Sequence, residues 1–560
     1  MPTLNWIGKD AVEHHHAEVP YRLVHCDGDL SAGDSEAGNL LVQGDNLEAL
    51  KALLPYYGGQ VKCIYIDPPY NTGNEGWVYN DNVASPEIKK WLGEVVGKEA
   101  EDLSRHDKWL CMMYPRLRLL RDFMKNDGVI AVSISDASVH YLKLLMNEIF
   151  GERNFIAEVI VETNVRGQTY KAIARTHEYL LIYGRSDAVE LSEISDLSRA
   201  FKLEDARGGY ELWELRNRNP RFNRGNRPNL FFPLYADPEP FERDHHRVSL
   251  ERTLDEQIEV FPLDGDLNDD CWRWSQDLIK KKTLVGNAPD LVARKVRSGK
   301  WTVWQRARKT TKSAKSIFKG GEYLNEAGTT LLTSMGLRGQ FDFPKPIGLV
   351  KTIIELTTDD GDLVLDSFAG SGTTGHAVLE LNKAEDSYRN FILVEMDKHI
   401  APNATAKRLA LAVNGYDKGG DLDKPVEGLG GGFRYCRLGV PLFNEFGDID
   451  TAVSFPDLAA HIFFAETGVP IPSKATGNSL YLGKHGGKAV YLLFAPGQEG
   501  MPREAMGNVL TPDALANLPA PPEGFEGSRV VYAEGCTVSP DRLKSESVVF
   551  KQIPYQVEGV

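Results

Sequence analysis

Long apolar runs are missing from this 560-residue chain, and none approaches the roughly 18 residues that a membrane helix needs. The opening Met1-Pro2-Thr3-Leu4-Asn5-Trp6 has neither the basic nor the apolar region of a secretory leader. Cysteine is scarce. Cys26, Cys63, Cys111, Cys271, Cys436 and Cys536 lie far apart with no Cys-x-x-Cys, which argues against a zinc knuckle and a disulfide framework and for a reducing cytoplasm. No Gly-Lys-Ser/Thr follows a glycine turn, so ATP hydrolysis on a phosphate loop is not expected. His14-His15-His16 cannot all face one ion, and no nuclease-type cluster appears, so no metal is expected.

Basic residues are also in deficit, 64 Lys and Arg against 79 Asp and Glu, for a net charge of −15. That balance looks wrong for a nucleic-acid partner until its distribution is considered. Between Arg273 and Lys319 only Asp277 and Asp290 oppose a dense basic set that includes Lys280, Lys281, Lys282, Arg294, Lys295, Arg297, Arg306, Arg308 and Lys309. Arg218, Arg221 and Arg224 add to it. Clustering of this kind is the footprint of a phosphate-contacting surface, although charge runs are commonly no more than solvated faces. Trp272, Trp274, Trp301 and Trp304 lie among these charges.

The hydrophobic fraction of 42% is that of a globular protein long enough for several domains. Residues 39–45 read as a strand and loop, Asn46 to Leu54 as a helix with Asn46 as N-cap, and Val61 to Ile66 as a strand. A helix over 109–126, a strand over 129–134 and a helix over 137–150 follow. The alternation predicts a parallel sheet covered by helices on both faces. It dissolves over residues 161–325 and returns with a helix at 347–356, a strand at 363–365, a helix at 374–381 and a strand at 391–395. The expected organisation is therefore a doubly wound α/β core in two parts, 1–160 and 326–415, split by an inserted module at 161–325. A small α+β domain at 416–560 follows, with strands at 488–494 and 529–532.

Asp45, Asp67, Asp366 and Glu395 each stand at or just beyond the carboxyl end of a strand, where open parallel sheets gather their ligands. Asp366-Ser367-Phe368-Ala369-Gly370-Ser371-Gly372-Thr373 offers a tight turn with close backbone approach, and Thr373 or Thr374 can start the next helix. Glu395, at the end of the next strand, can accept hydrogen bonds from ribose hydroxyls. Together these suit a nucleoside-type cofactor. Asp67-Pro68-Pro69-Tyr70 is more specific. The Asp67 carboxylate and the Pro68 carbonyl can each take one hydrogen of an exocyclic amino group. Paired prolines stiffen the loop, and Tyr70 offers a stacking face to an extruded base. Asp67 can also ease proton loss after transfer. His177, ahead of the apolar run Leu180 to Tyr183, reads as strand punctuation.

At this point the chain resembles the β-class amino methyltransferases of DNA, and in particular the modification subunits of type III restriction–modification systems. The resemblance rests on Gly44-Asp45-Asn46-Leu47-Glu48-Ala49-Leu50, Ile66 through Asn71-Thr72-Gly73, Met113-Tyr114-Pro115-Arg116-Leu117, Lys345-Pro346, and Asp366 through Thr374. It covers residues 1 to about 415. Gly432-Phe433-Arg434-Tyr435 and Phe550 to Tyr555 look less specifically like the ends of such subunits. The order of target-base motif, recognition region and glycine loop is the permuted order that defines the class. The resemblance implies a Rossmann-like sheet with S-adenosylmethionine as cofactor and double-stranded DNA as substrate. It implies that Asp45 contacts the cofactor adenine, Phe368 and its glycines the methionine part, and Glu395 the ribose. Lys345 would begin the segment at the cofactor carboxylate. It further implies a homodimer and a separate restriction subunit carrying helicase and nuclease, although a solitary methyltransferase is equally compatible.

Methyl transfer to adenine N6 is the leading expectation. Cytosine N4 presents similar chemistry, while the absence of a Pro-Cys dipeptide argues against carbon-5 methylation. A DNA-binding specificity subunit with a vestigial pocket is the reading from another class.

Overall fold

Runs such as Val61 to Ile66, interrupted only by Lys62, and Phe391 to Val394 are apolar without alternation, which suits strands covered on both faces. In the computed structural model every residue of Val61–Ile66 is buried. The structure describes residues 4–70, 101–167, 172–196, 201–219, 221–264, 268–283, 289–296, 299–421, 423–444, 448–473, 475, 479–495 and 507–553.

The main sheet has ten strands. In chain order they are β1 Arg22–Gly33, β2 Leu40–Gln43, β3 Val61–Ile66, β4 Met124–Ile134, β5 Phe155–Glu162, β6 His177–Gly184, β7 Ile317–Phe318, β8 Leu363–Asp366, β9 Asn390–Glu395 and β10 Gly432–Pro441. In space they run β1-β10-β2-β9-β8-β3-β4-β6-β5-β7. The six from β10 to β4 are parallel, and antiparallel strands flank them on the two sides. Asn39 stitches the centre: its Nδ2 donates to the Gly432 carbonyl at 2.8 Å and its Oδ1 accepts from the Phe391 amide at 2.8 Å.

Helices cover both faces. α1 Asn46–Tyr57, α2 Glu101–Phe123 and α3 Val139–Phe150 bury Leu50, Leu53, Met113, Leu117, Leu120 and Leu142 with Ile64, Ile66, Ile130, Val132, Leu365 and Ile392 of the sheet. α4 Ile347–Thr357, α5 Thr373–Glu385 and α6 Ala406–Asn414 follow, with α4 packed on β3 and α5 on β9. Gly375 of α5 permits that approach, because a Cβ there would stand 2.8 Å from Leu409 and 3.0 Å from Leu393.

The domain boundaries differ from those expected. β6 and β7 fall within 161–325, the span expected to form the insert, yet both belong to the main sheet, and the separate compact unit is Glu193–Ser313. Its unpatterned sequence conceals a seven-stranded sheet, ordered Ile258–Val260, Leu234–Glu242, His245–Ser249, Leu291–Lys295, Trp301–Ala307, Gly208–Glu214 and Leu203–Asp205. Trp272, Leu215, Phe232, Leu234 and Val303 form its core, and Trp272 Nε1 donates to the Phe232 carbonyl at 2.9 Å. On the C-terminal side, β10 joins the main sheet although it lies beyond residue 415. Cys26 and Cys436 oppose each other in the β1–β10 register and are joined as a disulfide. The cysteine spacing suggested no disulfide framework, and partners 410 positions apart leave no local spacing from which this single pair could be read. After β10, helix α7 Phe455–Thr467 packs with the strands Tyr481–His485, Lys488–Leu493, Ser528–Ala533 and Val548–Gln552. Among the described residues, no helix is long and apolar enough to cross a membrane.

Candidate active site

The parallel register delivers the strand-end residues to one edge of the sheet. Glu395 pairs with Gln43, Asp366 with Leu393, and Leu365 with Ile64. Asp45, Glu395, Asp366 and Asp67 therefore leave four adjacent strands in the order β2, β9, β8 and β3. The two motifs are neighbours despite the chain that separates them.

The glycine turn is built from its own first residue. Asp366 Oδ1 accepts the Phe368 amide at 2.9 Å, and Oδ2 accepts the Thr374 hydroxyl at 2.5 Å. Gly370 and Gly372 have φ of 50° and 78°, where a side chain is strained. A Cβ on Gly370 would also meet the Phe341 ring at 2.9 Å. Helix α5 is capped by Gly372 without a side-chain bond. Thr373 instead reaches the Lys345 carbonyl at 3.3 Å, and Thr374 serves Asp366. Glu395 closes the turn from the next strand, accepting the Gly370 amide at 2.8 Å and the Asp397 amide at 2.9 Å. Below the turn, fully buried Arg408 donates to the Ser371 hydroxyl at 2.9 Å and to that of Thr373 at 2.8 Å. Ala369 is held by its amide to the Val394 carbonyl at 3.0 Å.

Burial pushes the Asp366 carboxyl up to about 7, against the Thr374 hydroxyl and Phe368 amide that favour its ionised form. Burial pushes Glu395 up to about 7 as well. Uncompensated carboxylates gathered around a buried turn make this a place where a cationic ligand is favoured.

The N-cap of α1 is Asp45, not Asn46. Asp45 Oδ1 accepts the Leu47 and Glu48 amides at 2.9 and 3.1 Å. The Asn46 side chain bonds elsewhere. Its Nδ2 reaches the Ser367 carbonyl at 3.3 Å, and its Oδ1 accepts from Arg116. The wholly buried Arg116 also donates to Asp45 Oδ2 at 3.3 Å and to the Met112 carbonyl at 2.8 Å, tying α2 to the cofactor side of the site.

The target-base loop is anchored selectively. Trp109 Nε1 donates to the Pro69 carbonyl at 2.7 Å, and the Ser138 hydroxyl to the Tyr70 carbonyl at 3.1 Å. Among the described residues the Pro68 carbonyl accepts no hydrogen bond. Asp67 Oδ1 is buried and likewise accepts none. These are the two acceptors expected to meet an amino group. Asn71, Thr72 and Gly73 lie outside the described residues.

Two residues around this loop depart from expectation. Lys345 presents only its backbone carbonyl toward the glycine turn; its ammonium lies 2.5 Å from Tyr70 Oη, 2.9 Å from Glu178 Oε2 and 3.3 Å from Asp67 Oδ1. Glu178, which also accepts the Tyr70 hydroxyl at 2.8 Å, was not foreseen. Its neighbour His177 does open β6, with Nε2 3.3 Å from the Tyr179 hydroxyl. Only the position of Glu178 in His177-Glu178-Tyr179, a polar start to an apolar strand, hinted at a role.

In the inserted unit the basic residues divide. Lys280, Lys281 and Lys295 are exposed. Arg294 binds Asp244, Arg308 binds Asp205 and the Gly208 carbonyl, and Lys309 binds Glu193. Arg306 is corrected as a DNA contact: its buried guanidinium bridges Asp205 and Glu242 and meets His245 Nδ1 at 2.9 Å, so it holds the sheet together. The side chain of Lys282 and all of Arg297 lie outside the described residues. Arg218, Arg221, Arg224 and Arg227 are exposed on a loop whose turns are tied by Asn217, Asn219, Asn223 and Asn226.

Residues 61–407, which contain both motifs, match a family model described as DNA methylase and labelled for N6 and N4 methyltransferases. The chain belongs to this family. It is 32% identical over 434 residues to the EcoPI Mod subunit, a type III restriction-modification enzyme of Escherichia phage P1, spanning 73% of this chain and 65% of that protein. It is 33% identical over 373 residues to the type II methyltransferase M.KpnI of Klebsiella pneumoniae, spanning 66% of this chain and 83% of that one. The StyLTI Mod subunit of Salmonella typhimurium, also a type III restriction-modification enzyme, is 28% identical over 485 residues, 80% of this chain and 68% of that protein. The chain thus spans just under two thirds of the length of the phage P1 relative.

Replacing Arg116 with Ala leaves a buried gap and strips partners from Asn46 and Asp45. Equilibrium unfolding in urea should show a loss of about 3 kcal/mol. Arg116→Lys, which keeps the charge but not the planar fork, should recover only part of it.

Proposed function

We propose that this chain is a site-specific DNA methyltransferase that transfers a methyl group from S-adenosylmethionine to the N6 amino group of adenine in double-stranded DNA, as the modification component of a restriction–modification system. One observation supports this above the others. On the strand beside the glycine turn, the Pro68 carbonyl and Asp67 Oδ1 accept no hydrogen bond among the described residues, Oδ1 facing only the Lys345 ammonium at 3.3 Å, while the neighbouring Pro69 and Tyr70 carbonyls are bonded.

The cofactor's chemistry fits the residues present. S-adenosylmethionine, when bound, supplies an electrophilic methyl on a cationic sulfonium. The turn from Asp366 through Ser367, Phe368, Ala369, Gly370, Ser371, Gly372 and Thr373 gives it a backbone cradle, and Asp45 and Glu395 offer acceptors to its adenosine hydroxyl and amino groups. On the base side, Asp67 and the Pro68 carbonyl each accept one amino hydrogen. The nitrogen lone pair then turns out of conjugation with the ring, and Tyr70 stacks on the extruded base. Asp67 Oδ1 is placed to receive the proton released after transfer. In the inserted unit, Lys280, Lys281, Lys295, Arg221 and Arg227 supply the exposed positive charge that phosphates need. The Mod and type II relatives carry methyltransferase or modification in their names, and a restriction subunit as partner is inferred from the former alone.

Three outcomes test this reading. Tritiated methyl transfer to mixed-sequence DNA should occur with the wild type and fall to background with Asp67→Ala, with label on N6-methyldeoxyadenosine after digestion. Label on N4-methyldeoxycytidine would move the target to cytosine, and equal background in both proteins would leave a binding-only subunit. Cofactor affinity, measured by calorimetry with S-adenosylhomocysteine, should rise with pH and level off above about 7. Glu395 and Asp366 bind protons in the empty site below about 7, and those protons must leave for the carboxylates to act as acceptors. The fall below that point should be roughly tenfold per pH unit for each such proton, and Glu395→Gln should flatten it. Lastly, Lys280→Gln with Lys281→Gln should weaken DNA binding across sequences and lower the salt slope by about two.

A further inference from the structure

The ammonium of Lys345 is the one cation in direct contact with the target-base loop among the described residues. Around it stand Asp67, Glu178 and Tyr70, contributed by the loop after β3 and by β6. Tyr70 accepts from Lys345 and donates to Glu178, so the three form a closed circuit at the hydroxyl end of the ring. Lys345 Nζ lies 4.7 Å from the ring centroid and 2.5 Å from Oη, nearer the edge than the face. Asp67 Oδ1 is shut from solvent, makes no hydrogen bond, and has this ammonium 3.3 Å away.

We propose that Lys345 is a positioning residue of the target-base pocket: its ammonium, retained by Glu178, stands where the target amino group will stand, and supplies the counter-charge that keeps Asp67 an ionised acceptor before a base arrives. This rests on the methyltransferase reading and removes Lys345 from the cofactor ligands.

The other charged and titratable groups facing Asp67 are Glu178 on β6, Tyr70 on the same loop, Tyr65 on β3 and Asp366 on β8. All but Lys345 are acidic, so none can replace it. Burial pushes the Asp67 carboxyl up, Lys345 pulls it back, and Glu178 pushes it further up. For Lys345, burial works against the charge, but Asp67 and Glu178 more than offset this and hold it above the ordinary lysine value. Glu178 thus has two effects: it fixes the lysine, and it competes with Asp67 for it.

The two neighbours therefore have opposite signatures. In Lys345→Met the acid limb of the methylation pH profile should move up by about one to three units, the effect of losing an opposite charge at this distance. In Glu178→Gln it should move down, and Lys345→Arg should keep the wild-type limb. Affinity for S-adenosylhomocysteine should stay within about twofold in Lys345→Met. Loss of cofactor binding with an unmoved limb would assign the lysine to the cofactor and overturn the proposal. So would shifts of the same sign in Lys345→Met and Glu178→Gln. A readout independent of methylation is the isotope-edited infrared spectrum of aspartate-labelled protein against Asp67→Asn. Protonation of Asp67 should appear at higher pH in Lys345→Met than in the wild type; an unchanged midpoint sinks the idea even if the chain methylates nothing.

Discussion

Everything at this site depends on the parallel pairing of β8 with β3. In a parallel sheet each strand ends at the same edge as its neighbours, so two motifs need only occupy adjacent strands to share a crevice, whatever their separation in sequence. Leu365 beside Ile64 meets that condition. The turn at Asp366 and the loop at Asp67 then leave the sheet side by side, close enough for Asp67 to raise the proton affinity of Asp366. The supporting bonds reinforce that edge. Asn46 joins α1 to Ser367, Arg116 joins α2 to both Asn46 and Asp45, and Glu395 secures Gly370 from β9. A slip of β8 by one residue would turn Asp366 to the other face and undo the turn.

The core and its motifs were legible because their signals are local. An unbroken apolar run, an acidic residue at its end and a glycine turn or paired prolines can be read without knowing the neighbours. What escaped reading depends on residues remote in sequence. Glu178 acquires its role from Tyr70 and Lys345, and nothing in His177-Glu178-Tyr179 announces either. Lys345 was placed by resemblance according to its segment, but its side chain and its carbonyl point to different halves of the site. Asp45 and Asn46 both favour helix starts, and only Arg116 and Ser367 decide which one caps. β10 and its partner β1 are widely separated in sequence (Cys26 and Cys436, paired in register, are 410 positions apart), and a bulged antiparallel pair lacks the continuous apolar pattern of the centre.

The basic run of the insert shows why charge counting overstates a surface. Arg306, Arg308, Arg294 and Lys309 each meet a carboxylate of the same unit. Such pairs consume charge within the fold, and Arg306 is wholly buried in doing so. Arg218 and Arg224 of the loop tied by Asn217, Asn219, Asn223 and Asn226 likewise meet Glu214 and Asp269, so positive potential toward a partner is left to exposed side chains such as Lys280, Lys281, Lys295, Arg221 and Arg227. Rigid turns that present long, rotatable cations are a sound arrangement for phosphate, because little backbone freedom remains to be lost on binding.

The buried charges of the site also suit a transfer in which positive charge moves. An ammonium and an exocyclic amino group are both nitrogen donors, so either can satisfy Asp67, but only one of them is charged. A neutral amino group taking the position of Lys345 leaves Asp67 short of its counter-charge, with Glu178 and Asp366 still nearby. That deficit is unfavourable before reaction. It is relieved as the amino nitrogen gains a methyl group and becomes cationic, directly opposite Asp67. In the proposed reaction the pocket is thus better matched to the transition state than to the bound base, which is the condition for accelerating the chemical step rather than merely tightening the complex. In the proposed cycle Lys345 returns to Asp67 once the neutral product and the released proton have left, restoring the counter-charge.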